Sequence, residues 1–137
     1  MVPVPDSGVP AAIGYAQACG LPYELGIIRN HYVGRTFIEP TDQIRHLGVK
    51  LKHSANRAML DGRRVVLVDD SIVRGTTCKQ IIQMAREAGA KNVYFCSAAP
   101  AVRYPNVYGI DMPSAHELIA HNRTTEEVAE LIGADWL

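Results

Sequence analysis

Two adjacent aspartates, Asp69 and Asp70, directly follow a run of four branched apolar residues at positions 65–68. Such a run predicts a strand of a parallel sheet that is buried on both faces. In open α/β sheets, ligands bind outside the carboxyl ends of the strands. Carboxylates at that position can bind hydroxyl groups or a hard divalent cation such as Mg²⁺. The pattern therefore predicts a ligand site at this strand end.

A short loop of mostly small and hydroxyl-bearing residues follows the aspartates and leads into a predicted helix. The free amides and the positive dipole end of a helix N-terminus favour phosphate binding. Gly75 would let the backbone approach a ligand closely, and the G-x-x-x-x-G-K-[ST] motif of nucleotide-binding loops is absent. We therefore predict a phosphate loop of another kind; the alternative is a polar turn at a solvated strand end. The residues of this candidate loop are Ser71, Ile72, Val73, Arg74, Gly75, Thr76 and Thr77.

The helix after this loop has clear boundaries in the sequence. Thr77 and Gln80 have the spacing of a capping box at its start. Gly89 stands where a C-terminal glycine is expected. The predicted apolar stripe consists of Ile81, Ile82, Met84, Ala85 and Ala88.

The first twenty residues repeat the order of strand, polar turn and helix. Residues 1–5 predict a strand end, and Asp6 and Ser7 precede a helix that we expect to run to about Cys19 and to end at Gly20. Because a domain rarely opens inside a sheet, we expect further sequence upstream. Asp6 and Ser7 could simply cap the helix. The second polar loop makes ligand binding our preferred interpretation.

The segment after the predicted strand at 23–28 has neither helical nor strand periodicity. Residues 29–40 contain Arg29, Tyr32 and Arg35, which suit a lid that closes over an anionic substrate and excludes water. The alternative is an ordinary surface loop. Further along, we predict a helical turn at 54–60, a strand at 92–98, and helices that begin with capping boxes at Ser114 and Thr124.

Composition excludes several classes of protein. Fourteen basic and fourteen acidic residues cancel, so no net positive field favours nucleic acid or an acidic membrane surface. No apolar run reaches the length of a membrane span, and no signal peptide is visible. Three widely spaced cysteines, Cys19, Cys78 and Cys96, are typical of reduced thiols in a cytoplasmic protein.

The strand, acid pair and small-residue loop at 65–77 resemble the phosphoribosyl pyrophosphate (PRPP) signature of type I phosphoribosyltransferases. Three segments, Asn30 with residues 32–38, residues 68–77 and residues 108–111, resemble glutamine PRPP amidotransferases in particular and occur in the order of that family. The resemblance implies an α/β fold with a twisted, mainly parallel sheet flanked by helices. It also implies a glycosyltransferase that makes 5-phosphoribosylamine from PRPP and glutamine-derived ammonia at the start of purine synthesis.

The resemblance assigns roles to the candidate residues. It implies that residues 71–77 bind the 5-phosphate, that Asp69 and Asp70 bind the ribose hydroxyls and magnesium, and that Asp6 and Ser7 lie in the pyrophosphate loop. Ser7 matches a position associated with magnesium. Arg29, Tyr32 and Arg35 would belong to the catalytic lid. At Arg29 we expect lysine in the family, and at His31 arginine or lysine. The strength of pyrophosphate binding can therefore differ between this chain and the family.

The resemblance also predicts what this chain lacks. We expect residues 1–137 to be a phosphoribosyltransferase domain shortened at both ends, without the glutaminase domain, whose nucleophile is an N-terminal cysteine. We expect no iron–sulfur cluster, because such a cluster needs four cysteines. For the full-length enzyme, the resemblance implies a homo-oligomer. Two alternatives stay open: a type I phosphoribosyltransferase that salvages a nucleobase, and a non-catalytic PRPP-binding fragment.

Overall fold

The computed structural model describes residues 1–31, 52–106 and 114–137. These residues form an α/β fold. In chain order its elements are β1 (Val2–Pro3), α1 (Val9–Cys19), β2 (Ile27–Arg29), β3 (His53–Ala55), α2 (Arg57–Leu60), β4 (Arg64–Asp69), α3 (Thr76–Glu87), β5 (Asn92–Ser97), a 3₁₀ turn (Ala115–Glu117) and α4 (Thr125–Ile132).

The main sheet is parallel and has β4 at its centre. Its strand order is β1-β4-β5, with Pro3 opposite Val68 and Asp69 opposite Ser97. The apolar run at 65–68 is therefore a central strand with a neighbour on each side, as predicted. Because β1 and β4 are parallel neighbours, the turns that follow them meet at one edge of the sheet.

The core lies between this sheet and helix α3. Leu67 and Phe95 on the strands and Ile81 on α3 are completely buried. The predicted apolar stripe of α3 is confirmed, because Ile82, Ala85 and Ala88 are buried as well and Met84 packs against the same core. Gly89, with φ 97°, follows the helix end as expected.

The predicted start of α3 was two residues too late, and its predicted cap is absent. The helix begins at Thr76, its N-cap is Gly75 with φ 78°, and no side chain caps it. Since the left-handed conformation of Gly75 turns the chain into the helix, Thr77 already lies inside the first turn and cannot act as the cap.

A second, antiparallel sheet pairs β2 with β3. The predicted strand at 23–28 is shorter and later than expected, at Ile27–Arg29. The predicted helical turn at 54–60 was partly wrong, because residues 53–55 form β3 and only Arg57–Leu60 is helical. Residues 32–38 and 108–111, which carried two of the three resemblances, lie outside the described residues.

The last residues of the chain pair with β5. The capping box at Thr124 is confirmed, whereas the predicted helix at 114–119 is only a 3₁₀ turn. Trp136 then forms a parallel bridge with Tyr94. Within the described ranges, no helix combines the length and the apolar character needed to cross a bilayer.

Candidate functional site

Asp69 is the last residue of β4, and its carboxylate lies where the turns after β1 and β4 meet. The residue is only 6% exposed. Its Oδ1 atom accepts hydrogen bonds from the Ser7 hydroxyl at 3.2 Å and from the Asp70 backbone amide at 2.8 Å. The two predicted polar loops are therefore joined through this carboxylate.

The environment of Asp69 disfavours its negative charge. The pKa of this carboxyl is raised to about 6, mainly by removal from water and also by the neighbouring Asp70 charge, while the hydrogen bonds from the Asp70 amide and Ser7 partly oppose the rise. A group of opposite charge bound beside Asp69 would therefore stabilise its ionised form.

Asp70 and the following loop lie at the surface above β4. Asp70 is exposed, and its Oδ1 atom accepts a hydrogen bond from the Ser71 hydroxyl at 3.1 Å. The side chain of Ile72 is buried in the core, so only its backbone can face a ligand. The half-buried Ser71 and Thr76 and the exposed Thr77 carry the hydroxyl groups of the predicted phosphate site.

The N-terminus of α3 opens onto this loop. The amide of Lys79 donates to the Gly75 carbonyl at 2.9 Å, so the amides of Thr76, Thr77 and Cys78 precede the regular hydrogen bonds of the helix. With the helix dipole behind them, these amides form an electropositive end suited to phosphate.

Packing gives a clear reason for glycine at position 75. Its φ of 78° is a left-handed conformation, and a Cβ there would overlap Cδ1 of Ile119 and lie 3.4 Å from Cγ2 of Ile132. Gly75 therefore makes room for apolar packing behind the loop. The expected close approach of a ligand to the Gly75 backbone stays a prediction.

The turn after β1 is fastened to the end of β4. The Val4 amide donates to Val68 O at 2.8 Å, and the Gly8 amide donates to Val4 O at 2.9 Å. A Cβ at Gly8 would overlap Val68 O and lie 2.8 Å from Val4 O. Sequence reasoning missed Gly8 as a residue that positions the site; the available signal was a glycine two positions before Pro10.

Asp6 and Ser7 do not cap α1, whose N-cap is Gly8 without a side-chain hydrogen bond. Ser7 instead bonds Asp69, and the Asp6 carboxylate forms an ion pair with Arg29. Because Arg29 is the last residue of β2, this pair brings the second sheet to the site. Tyr32 and Arg35, the other predicted lid residues, lie outside the described residues.

Known proteins resemble this chain over its whole length. It is 65% identical over 137 residues to amidophosphoribosyltransferase of Pseudomonas aeruginosa and 57% identical to that of Escherichia coli. A solved structure of glutamine PRPP amidotransferase from Bacillus subtilis, complexed with ADP and GMP, matches 99% of the chain with a TM-score of 0.84 and 54% identity.

By sequence and by fold, this chain is a homologue of part of the amidophosphoribosyltransferases. It spans 27% of the Pseudomonas and Escherichia proteins and 30% of the solved Bacillus chain. No protein-family model matches the chain. The likeness to the solved structures also confirms the predicted type I phosphoribosyltransferase fold.

The oxygen donors of this amidophosphoribosyltransferase homologue fit magnesium that is shared with a substrate. Among the described residues, no three His, Cys, Asp or Glu side chains come together to hold a metal ion. Magnesium commonly binds through one or two carboxylates and completes its shell with water and substrate phosphates. Asp69, Asp70 and the Ser7 hydroxyl supply donors of this kind.

The cysteines of this amidophosphoribosyltransferase homologue lie in three different settings. Cys19 is exposed, Cys96 is half-buried, Cys78 is buried, and all three are free thiols. Burial raises the pKa of Cys78 well above its ordinary value, and the nearby Asp69 charge adds to this. Cys78 is therefore a packed, unreactive thiol.

Proposed function

We propose that this chain forms the PRPP-binding part of an amidophosphoribosyltransferase, a glycosyltransferase that makes 5-phosphoribosylamine from PRPP and ammonia. The observation that carries the proposal is the 65% identity to such an enzyme along the whole chain. The joined strand-end loops around Asp69 support it chemically, since PRPP needs a phosphate site, a ribose site and a site for its leaving group.

The 5-phosphate of PRPP would bind at the N-terminus of α3. The amides that precede the Lys79–Gly75 hydrogen bond and the hydroxyls of Ser71, Thr76 and Thr77 provide donors. These groups are neutral donors with a favourable dipole, so they hold a phosphate dianion without a buried cation.

The carboxylates of Asp69 and Asp70 would bind the ribose hydroxyls and magnesium. The hydrogen bond from Ser7 to Asp69 orients one of these carboxylates. Magnesium bound with PRPP would neutralise charge on the pyrophosphate. Asp6, Ser7 and Arg29 lie beside this position, and we propose that they face the pyrophosphate together with Tyr32 and Arg35.

The proposed reaction is a displacement at the anomeric carbon of the ribose. The ammonia nitrogen forms a bond to C1, the C1–O bond to pyrophosphate breaks, and the departing oxygen takes the electron pair. The nitrogen then loses a proton to solvent. The residues of the chain hold C1 and the leaving group in place, stabilise charge and exclude water, because water would compete with ammonia as the nucleophile.

The remaining parts of the proposal concern the longer protein to which such a segment belongs. We propose that ammonia comes from a glutaminase domain, that the complete enzyme is a homo-oligomer, and that it is cytoplasmic. The similarity to amidophosphoribosyltransferases favours this function over salvage of a nucleobase. Formation of phosphoribosylamine from PRPP and free ammonia would separate an enzyme from a non-catalytic PRPP-binding fragment.

Isothermal titration of the chain with PRPP and magnesium tests the site. We expect binding by the unaltered chain and a loss of at least roughly tenfold in affinity for Asp69→Asn combined with Asp70→Asn, since charge-assisted contacts are removed. Glu130→Gln, which removes an exposed carboxylate on α4, is the matched control. Equal affinity of the double variant and the control would contradict the site assignment.

A further inference from the structure

We propose that residues 118–123, here called the strap, hold the phosphate loop (residues 71–77) in its binding conformation. In this proposal Ile119 and Arg103 are positioning residues, which act on the ligand through the loop. The proposal deepens the proposed function, because it rests on the loop being a phosphate site. It adds a second segment, about 45 residues further along the chain, on which that site depends.

The strap touches the phosphate loop through Ile119. The Ile119 amide donates a hydrogen bond of 2.9 Å to the carbonyl of Val73. Its side chain occupies the space that a Cβ at Gly75 would need. Leu118 and Ala120 on either side are buried, so Ile119 is held from both sides. One backbone contact at Val73 and one side-chain contact at Gly75 thus meet the loop two residues apart.

Arg103 fastens the strap from the other side. Its Nη1 atom donates to the carbonyls of Ala120 at 3.0 Å and Arg123 at 2.6 Å. In the reverse direction, the ring nitrogen Nδ1 of His121 lies 2.8 Å from the Arg103 carbonyl. Arg123 closes the strap on itself, with Nη1 at 2.9 Å from Ile119 O. The strap is therefore held by a short network of charge-assisted hydrogen bonds, which run from arginine side chains to backbone carbonyls.

The orientation of one peptide unit explains how this network would affect phosphate binding. The Val73 carbonyl is occupied by the Ile119 amide, so its oxygen is turned toward the strap. A carbonyl oxygen facing the phosphate would repel it, whereas amides facing it attract it. Donors that are already oriented bind more tightly, because they lose less freedom when the ligand arrives. The strap would supply this orientation without contacting the phosphate.

Ligand affinity and loop opening are measured on the 137-residue chain. The probe is ribose 5-phosphate, followed by ³¹P NMR, and opening of the loop is followed without ligand by hydrogen exchange of the Gly75, Thr76 and Thr77 amides. For Ile119→Ala and Arg103→Gln we expect faster exchange and affinity lowered by roughly 2- to 30-fold, the range for residues that tune a site without touching its ligand. Ile119→Val should restore most of the affinity.

Arg86→Gln is the matched control. Arg86 also bonds a backbone carbonyl, that of Gly133 at 2.8 Å, but it holds the C-terminal residues and not the strap. We expect its affinity and loop exchange to equal those of the unaltered chain, even if its stability falls.

Two results would overturn the strap proposal: unchanged loop exchange in Arg103→Gln, or equal weakening by Arg86→Gln. If Ile119→Ala fails to fold, Arg103→Gln and Ile119→Val still decide the question. If the unaltered chain does not bind ribose 5-phosphate, the proposed phosphate site is wrong. The exchange measurement, made without ligand, still shows whether the strap holds the loop.

Discussion

Gly8 is the residue that most directly joins the two loops of the site. Its lack of a side chain lets the turn after β1 lie against the end of β4, and its neighbour Ser7 then reaches Asp69 at 3.2 Å. Gly75 has a different function, because its missing Cβ leaves room for Ile119. Two glycines of one site are thus needed for different physical reasons.

We expect Gly8→Ala to lower the free energy of unfolding by about 2 kcal/mol or more, a cost typical of overpacking. The added Cβ would overlap the Val68 carbonyl oxygen, which is backbone and cannot rotate away. Gly14→Ala in α1 is the control, since a Cβ there meets nothing within 4 Å, and it should stabilise the helix by about 0.5–1 kcal/mol. Urea unfolding of both variants checks this; equal stability would contradict the overlap.

At the scale of elements, three pairs of residues have the spacing of a capping box, but only the pair Thr124 and Glu127 forms one. The Thr124 side chain accepts from the Glu127 amide at 3.2 Å, and the Glu127 carboxylate accepts from the Thr124 amide at 2.7 Å. The Ser114 hydroxyl donates to the Glu117 carboxylate at 3.3 Å and the Glu117 amide donates to the Ser114 carbonyl at 2.9 Å, so no side chain caps a backbone amide and the chain forms a 3₁₀ turn. Thr77 lies inside a helix that Gly75 has already started. Spacing alone therefore did not decide where a helix begins.

We expect Thr124→Ala to destabilise the chain by about 1 kcal/mol, the usual cost of losing an N-cap. Thr77→Ala, at the position predicted but not used as a cap, should change the free energy of unfolding by less than about 0.5 kcal/mol. Both threonines are exposed, so a difference in buried surface does not contribute to the difference in stability between the two variants. Equal losses in thermal unfolding would show that the cap at Thr124 has no stabilising effect of its own.

At the scale of the whole molecule, the last residues of the chain add a short paired segment beside β5. The Asp135 amide donates to Val93 O at 2.8 Å, and the Phe95 amide donates to Trp136 O at 2.9 Å. The Asp135 carboxylate accepts from the Val93 amide at 2.7 Å and pairs with Arg86 at 3.1 Å. These contacts, with the Val93 amide foremost, hold the pKa of Asp135 below its ordinary value.

This lowered pKa predicts how stability depends on pH. A carboxyl whose pKa falls on folding contributes stability fully above its unfolded pKa, about 3.9, and loses that stability as the pH falls through the lower folded value. Asp135→Asn should therefore be less stable than the unaltered chain at pH 7, and the difference should shrink toward pH 3. Urea midpoints across this range measure it, with Glu130→Gln as control. A difference independent of pH would exclude ionisation as the cause.

The order of elements around the site follows from local sequence patterns. The apolar run before Asp69, the apolar stripe of α3 and the box at Thr124 were predicted correctly because each depends on neighbours close in the chain. The same local pattern carried the resemblance to the phosphoribosyltransferases, which the comparisons then supported over the whole chain.

Which distant residues share the site is visible only in the tertiary structure. Ser7 and Asp69 are 62 positions apart, Asp6 and Arg29 are 23 apart, and Ile119 lies against Gly75 from a separate segment. No spacing rule connects such pairs, because their contact depends on the register of β1 against β4 and on how later segments pack. The residue types at the strand end predicted its chemistry. The residues that position this strand end could not be predicted, because they are brought there by packing between distant elements.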